Sequence, residues 1–350
     1  MKRIFLVIAI VCIGMITQAQ DSKKIMLPTG WALSPAGKSL ALGDLPLNMA
    51  VSKSKKLMAI TNNGQSTQSI QLINLVSNTI LDNIKIDKSW LGIAFSADEK
   101  TLYASGGNDN WILKYSIINN KLKLTDSIKL GEKWPNKISP AGICINDAKN
   151  ILYVVTKDDN SLYEVNLVSK KIMNKTALPA EAYTCVLSND NSELYISVWG
   201  AEKLLVYNTL SQKITSSIAT GTHPNDLILS KNGKTIYVAN GEDNSVSVID
   251  IKNRKVLETL NCALYPNALA GSTTNGVALS TDEKTLYIAN ADNNCLAVFD
   301  VSAVGNSKSK GFIPVGWYPT SVKVVGSKIY VTNGKGFTSF ANPLGPDPYN

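Results

Sequence analysis

One unit of roughly forty residues recurs along this chain, and it limits the folds available more than any other feature. His223–Leu260 shows it most plainly. Asp226–Ser230 is a short apolar segment, followed by the polar turn Lys231-Asn232-Gly233-Lys234. Thr235–Asn240 is rich in β-branched and aromatic residues, and Gly241-Glu242-Asp243-Asn244 turns the chain back. Ser245–Ile251 alternates polar and apolar side chains, the period of a strand with one buried face. Asn253-Arg254 then leads into Val256–Leu260. Four strands joined by hairpin turns make an antiparallel meander. Alone it would leave two apolar faces in water, so it needs copies of itself as neighbours.

The copies are present. The second strand recurs as LMAITN, LYASGG, LYVVTK, LYISVW, IYVAN, LYIAN and IYVTN, marked by Ala59, Tyr103, Tyr153, Tyr195, Tyr237, Tyr287 and Tyr330. The steps between markers are 44, 50, 42, 42, 50 and 43 residues. Such a period with four strands per unit predicts an all-β fold, a β-propeller of seven four-stranded antiparallel blades. Residues 330–333 read Tyr-Val-Thr-Asn, and the chain from about residue 28 onward resembles the YVTN-repeat, lactonase-like seven-bladed propeller family. That resemblance speaks to fold, because propellers carry unrelated activities.

The expected organisation is a signal peptide at 1–20, a propeller at 25–336 and a linker or tail at 337–350. Lys2 and Arg3 precede the apolar run Ile4–Ile16, and Thr17-Gln18-Ala19 supplies small residues for cleavage. A periplasmic or secreted protein follows, with no membrane attachment after cleavage. The seventh unit lacks a recognisable fourth strand, whereas Ser39–Leu42 resembles the end of one. The N-terminal segment is therefore expected to close the last blade as a strand and protect its edge.

Net charge is +8, or +6 without Lys2 and Arg3, and the lysines gather in turns such as Lys53, Lys55, Lys56, Lys100, Lys149, Lys231, Lys234 and Lys284. No basic run is interleaved with aromatics, so nucleic acid is not an expected partner. Cys144 and Cys185 lie in first strands of consecutive blades but one repeat position apart, which points them to opposite sheet faces. Cys262 falls in a long loop and Cys295 opens a third strand, so no cysteine pair is expected to meet.

Two connections are long, Leu130–Pro140 and Cys262–Asn275, and both share the face that surrounds the mouth of the central channel. Aromatic residues Trp90, Trp134, Tyr183, Trp199, Tyr265, Trp317 and Tyr318 fall on or beside the same loops. Trp90, Trp134, Tyr183, His223, Asn225, Trp317 and Tyr318 are the candidate ligand-binding residues. His223 is the only histidine. With Asp226 it is a candidate general base; equally, it can fix the loop, since Trp90, Ser139, Ala182 and Trp317 take its place in other units. Related propeller lactonases hold a divalent cation in the channel. That resemblance implies Asn48, Asn225 and Asn275 as oxygen ligands for calcium or a similar ion. The Asn/Asp pairs after each second strand suit hairpin turns as well as they suit a metal. No GxSxG elbow, phosphate loop or zinc spacing is present.

The segments LPTGWALSPAGKSLALGDLPLNM, ALYPNALAGSTTNG, GFIPVGWYPT and NGKGFTSFANPLGPDP resemble the propeller half of exported two-part proteins with an alkaline-phosphatase-like phosphoesterase domain. The resemblance implies a binding or scaffold module without a cofactor, its mouth face contacting a small ligand or that C-terminal domain. The alternative is a lactonase-type hydrolase.

Overall fold

A computed structural model describes residues 25–336, 338 and 339. The expected signal peptide and most of the expected tail lie outside these residues. Six four-stranded antiparallel sheets follow one another along the chain, each paired in sequence order. A seventh sheet has two strands, Pro319–Val325 and Lys328–Asn333. No α-helix occurs among the described residues, only two 3₁₀ turns at Gly107–Asp109 and Trp199–Ala201.

The seven first strands touch one another in a closed ring, from Pro46–Val51 round to Pro319–Val325. Apolar side chains explain the closure. Each contact between neighbouring sheets has its own cluster, seven in all among the described residues. Between the fifth and sixth sheets, for example, Tyr237, Val246 and Val248 pack on Val277, Leu286 and Ile288. Both faces of each sheet are buried in this way, so the third strand Ser245–Asp250 is covered along nearly its whole length although its sequence alternates polar and apolar residues. The marker tyrosines Tyr153, Tyr195 and Tyr237 are fully covered. Tyr330 in the two-stranded sheet and Tyr287 in the sheet before it stay partly exposed.

The turns between first and second strands share one device. In the fifth sheet the Ser230 N–H donates to the Thr235 carbonyl, the Thr235 N–H donates to Ser230 Oγ, and Ser230 Oγ donates to Asn232 Oδ1. The same serine meets Asp98, Asp190 and Asp282 in other sheets. The residue after the Asn or Asp adopts positive φ: Gly233 at +69°, with Glu99, Asn191 and Glu283 close to +60°.

Two expectations need correction. Ser39–Leu42 forms no strand. It makes no ladder with Lys328–Asn333, because an outermost fourth strand pairs only with a third strand and the described residues supply none to the seventh sheet. The segment instead bridges two sheets: the Ala36 N–H donates to the Pro314 carbonyl of the sixth, and the Gly43 N–H donates to Gln71 Oε1 of the first. Leu42 packs on the cluster of Met49, Met58 and Ile60 that Tyr330 and Val325 also cover, and Thr338 Oγ1 donates to the carbonyls of Leu42 and Gly43. The second correction concerns Cys144 and Cys185, whose sulfurs are 3.6 Å apart. They do sit on opposite faces of their own sheets, but adjacent blades stack face to face, so opposite faces are the ones that meet.

Candidate functional site

The mouth of the channel is built by a repeated backbone turn. Leu45, Ser139, His223, Thr273 and Tyr318 each precede a first strand with φ between +48° and +62°. Each offers its carbonyl to the N–H of a residue just after the second strand: His223 to Gly241 at 2.8 Å, Tyr318 to Gly334 at 2.7 Å. The unit equivalent to His223 in the seventh blade is therefore Tyr318, not Trp317, one residue away from the sequence alignment.

In three blades the Asn that ends the second-to-third turn holds the neighbouring mouth loop. Asn110 accepts from the N–H groups of Ile138 and Ser139 and donates to the carbonyls of Glu132 and Asn136. Asn244 accepts from Gly271 and Ser272 and donates to Leu269. Asn294 accepts from the Tyr318 N–H. The two long loops are thus each pinned by one buried amide. Sequence reasoning read these residues as turn formers and missed their second task.

Inside the channel, six side chains from four blades converge. Asp226 Oδ2 lies 3.5 Å from Lys323 Nζ, and the Asp226 carboxylate also accepts from the backbone N–H groups of Leu227 and Val277. Asn225 donates to Asn275 Oδ1 and to the Thr274 carbonyl at 3.3 Å each, leaving its own buried Oδ1 unpaired. Tyr183 and Tyr318 complete the group. Burial raises the Tyr183 hydroxyl far above its ordinary range, with Asp226 and Tyr318 adding to the shift. Tyr318 is raised too, by burial and by Asp292. Both phenols stay protonated at neutral pH and act as hydrogen-bond donors. Of these six residues, Lys323 was not singled out from the sequence. The signal was its place: the other first strands carry Ala50, Ala94, Cys144, Val186, Ile228 and Ala278 there.

His223 takes different partners from Asp226. Its ring meets Trp199 edge-on at 4.0 Å between centroids, and Nδ1 lies 3.1 Å from Glu242 Oε2 without hydrogen-bond alignment. No hydrogen bond joins the His223 and Asp226 side chains, and the His223 carbonyl accepts from the Gly241 N–H. Asn48 is used structurally, donating to the Leu91 carbonyl at 2.8 Å and accepting from the Met49 N–H. The expected cation set of Asn48, Asn225 and Asn275 does not fit a divalent ion. Only Asp226 brings charge, Lys323 already neutralises it, and no group of three or more His, Cys, Asp or Glu converges among the described residues.

Around the mouth, lysines lie over the aromatic rings. Lys157 faces Trp90 at 5.6 Å, Lys137 faces Trp134 at 5.2 Å and Lys133 faces Trp111 at 4.6 Å. Lys335 serves both Trp317 at 5.6 Å and Tyr318 at 4.3 Å. Trp134 is 59% exposed and Trp90 36%, so these rings present area to solvent rather than plugging the loops. A cleft of about 590 Å³ beside Gln65 and Lys88 opens among the mouth-face loops of the first blade, and one of about 360 Å³ lies between the sixth and seventh sheets.

Residues 181–335 match the family model described as Lactonase, 7-bladed beta-propeller. The match runs from the fourth blade through the seventh and includes all six channel residues. No curated protein matches the chain. Among solved structures, Kuenenia stuttgartiensis hydrazine synthase aligns over 85% of this chain and 95% of that chain, with a TM-score of 0.68 and 16% identity. The U3-55K structure aligns over 87% of this chain and 94% of that chain, with a TM-score of 0.72 and 12% identity. Likeness at these identities is likeness of fold. The lactonase-type propeller resemblance read from the repeats is thus matched in the half of the chain that carries the channel cluster.

Proposed function

We propose that this chain is an exported binding module whose channel mouth takes an anionic ligand with a flat or apolar face, such as an acidic sugar or the acidic surface of a partner domain. The observation that carries the reading is the set of lysine–aromatic pairs at Trp90, Trp134, Trp317 and Tyr318. An aromatic face gives stacking area and the adjacent ammonium gives charge. Below them, Tyr183, Tyr318 and Asn225 offer donors, and Asn225 also keeps an unpaired acceptor. A phosphoesterase-like domain following the propeller remains the partner that the sequence resemblance suggests.

Binding is tested by titrating the protein with a panel of uronic and sialic acid oligosaccharides, followed by intrinsic tryptophan fluorescence. Trp317→Ala and Lys335→Ala are each expected to weaken the best binder at least tenfold, an effect within the range of one stacking or charged contact. Unchanged affinity in both variants would remove the mouth face from the reading. The second reading, hydrolysis of a lactone, is favoured by the family match over residues 181–335. In it Asp226, released from Lys323 by substrate, would be the base. Lactone turnover that disappears in Asp226→Asn while folding is retained would replace the binding reading with this one.

A further inference from the structure

The seventh sheet is short of two strands among the described residues, and its exposed edge is unlike any other in the ring. In the fifth sheet, the Thr235 carbonyl is taken by the first strand through the Ser230 N–H. Alternation along a strand then turns Ile236, Val238 and Asn240 toward the third strand. Aligned through the markers Tyr237 and Tyr330, the corresponding residues of the seventh sheet are Ile329, Val331 and Asn333. Their N–H and C=O groups face outward with no strand beside them. The side chains register the same loss: Ile236 and Val238 are fully covered, whereas Ile329 and Val331 are only half-buried. The 360 Å³ cleft lined by Tyr287, Val324 and Ile329 separates this sheet from the sixth, so Ile329 is also loosely covered on that face.

We propose that this edge accepts one donated peptide strand, and the six complete blades specify its chemistry. Their third strands are SIQLIN, WILKYS, SLYEVN, KLLVYN, SVSVID and CLAVFD. The second position is aliphatic and the fifth apolar in all six. The sixth is Asn or Asp in five, where it caps the following turn, as Asn74, Asn166 and Asn208 do. The residue facing that sixth position across the ladder is Leu57, Thr101, Ile151, Glu193, Thr235 or Thr285. In the seventh blade it is Lys328. A cation in that place selects a carboxylate over an amide, so the donated strand carries Asp or Glu at its sixth position.

Among the described residues no further strand pairs with this edge, and the short hairpin Ile25–Met26 and Ala32–Leu33 pairs only with itself. Residues 340–350 carry Pro343, Pro346 and Pro348, which have no N–H for a ladder. Ile4–Ile16 is uniformly apolar and lacks the polar sixth residue. Once bound, the strand would run antiparallel to Lys328–Asn333, as the third strands of the complete blades run to their second strands. The mode is strand addition, with main-chain bonds supplying affinity and side-chain pockets supplying selectivity.

The full chain is titrated with a synthetic peptide of the Asp243–Asn253 sequence and with a scrambled peptide of the same composition. One-to-one binding by the ordered peptide, at least tenfold tighter than the scrambled one, is expected, together with a rise in thermal midpoint. Val331→Pro removes one outward N–H while leaving the ladder to the first strand intact, and should weaken binding at least tenfold. Lys328→Glu is the second variant and lies at the strand start. It should weaken the peptide up to about fivefold and restore binding when the peptide carries Asp250→Lys. Equal binding of ordered and scrambled peptides overturns the proposal. So does a concentration-dependent dimer that Val331→Pro abolishes while the peptide fails to bind, because the occupant would then be a second copy of the edge.

Discussion

Ile236 and Ile329 hold the same repeat position, so truncating each to Ala isolates what the missing neighbours are worth. Ile236 is 0% exposed, covered by a third strand and by the blade behind it. Its truncation removes three buried carbons and leaves a cavity that a fully packed blade relaxes into poorly. A cost of about 3–4 kcal/mol follows. Ile329 is half-buried among Tyr287, Val324 and Val331, with one side open. Its truncation opens no closed cavity, and about 1–2 kcal/mol is expected. For a ring of this size roughly 2 °C of midpoint accompanies each kcal/mol, so the two variants should fall by roughly 6–8 °C and 2–4 °C. Thermal unfolding followed by near-ultraviolet circular dichroism at one scan rate gives both numbers. Equal shifts would mean that the seventh blade is complete in solution and that the contrast in burial is not physical.

Asn244→Ala should destabilise the Cys262–Thr273 connection, since it removes two acceptor contacts and one donor contact and leaves at φ +47° a residue that tolerates the left-handed region less well than Asn. Asn244→Gly relieves only the backbone, so limited proteolysis of that loop should rank Ala fastest, Gly next and the parent slowest. The Ser188 hydroxyl, joined by backbone and Ser192 contacts, lowers the Asp190 carboxyl to about 2 from a usual 3.8. A depressed carboxyl contributes stability that is present above the unfolded value and lost as pH falls through the folded one. Urea midpoints should therefore decline between about pH 4 and pH 2, less steeply in Ser188→Ala. Cys144 and Cys185, 3.6 Å apart, should be joined by diamide with loss of two hydrogens, read as one linked peptide pair in a non-reducing map. Cys144→Ser should abolish the link and leave Cys262 and Cys295 as thiols.

The blade architecture was legible because its determinant is local and repeated. A tyrosine every forty-odd residues, flanked by Ser-x-Asp turns and Asn-ended turns, encodes strands without reference to any distant contact. What escaped was relational. Cys144 and Cys185 were assigned correct faces, yet their meeting depends on how adjacent sheets stack. Ser39–Leu42 has a fourth strand's residues, but its pairing depends on a strand between it and Tyr330. His223 and Asp226 are three positions apart in sequence and were read together. A left-handed turn sends the first out to Trp199 and the second inward to Lys323. Lys323 itself is legible only after the seven first strands are laid side by side.

The clusters that flank the seventh sheet have five fully buried apolar members each, against nine to fourteen for the other five. A closed circle fails first at its thinnest joints, and here both belong to one sheet. Thermal opening should start as a seam at Pro319–Asn333, while the remaining arc stays folded. Amide exchange would then be fastest in that sheet, and whatever seats itself there would act as the clasp for the whole circle.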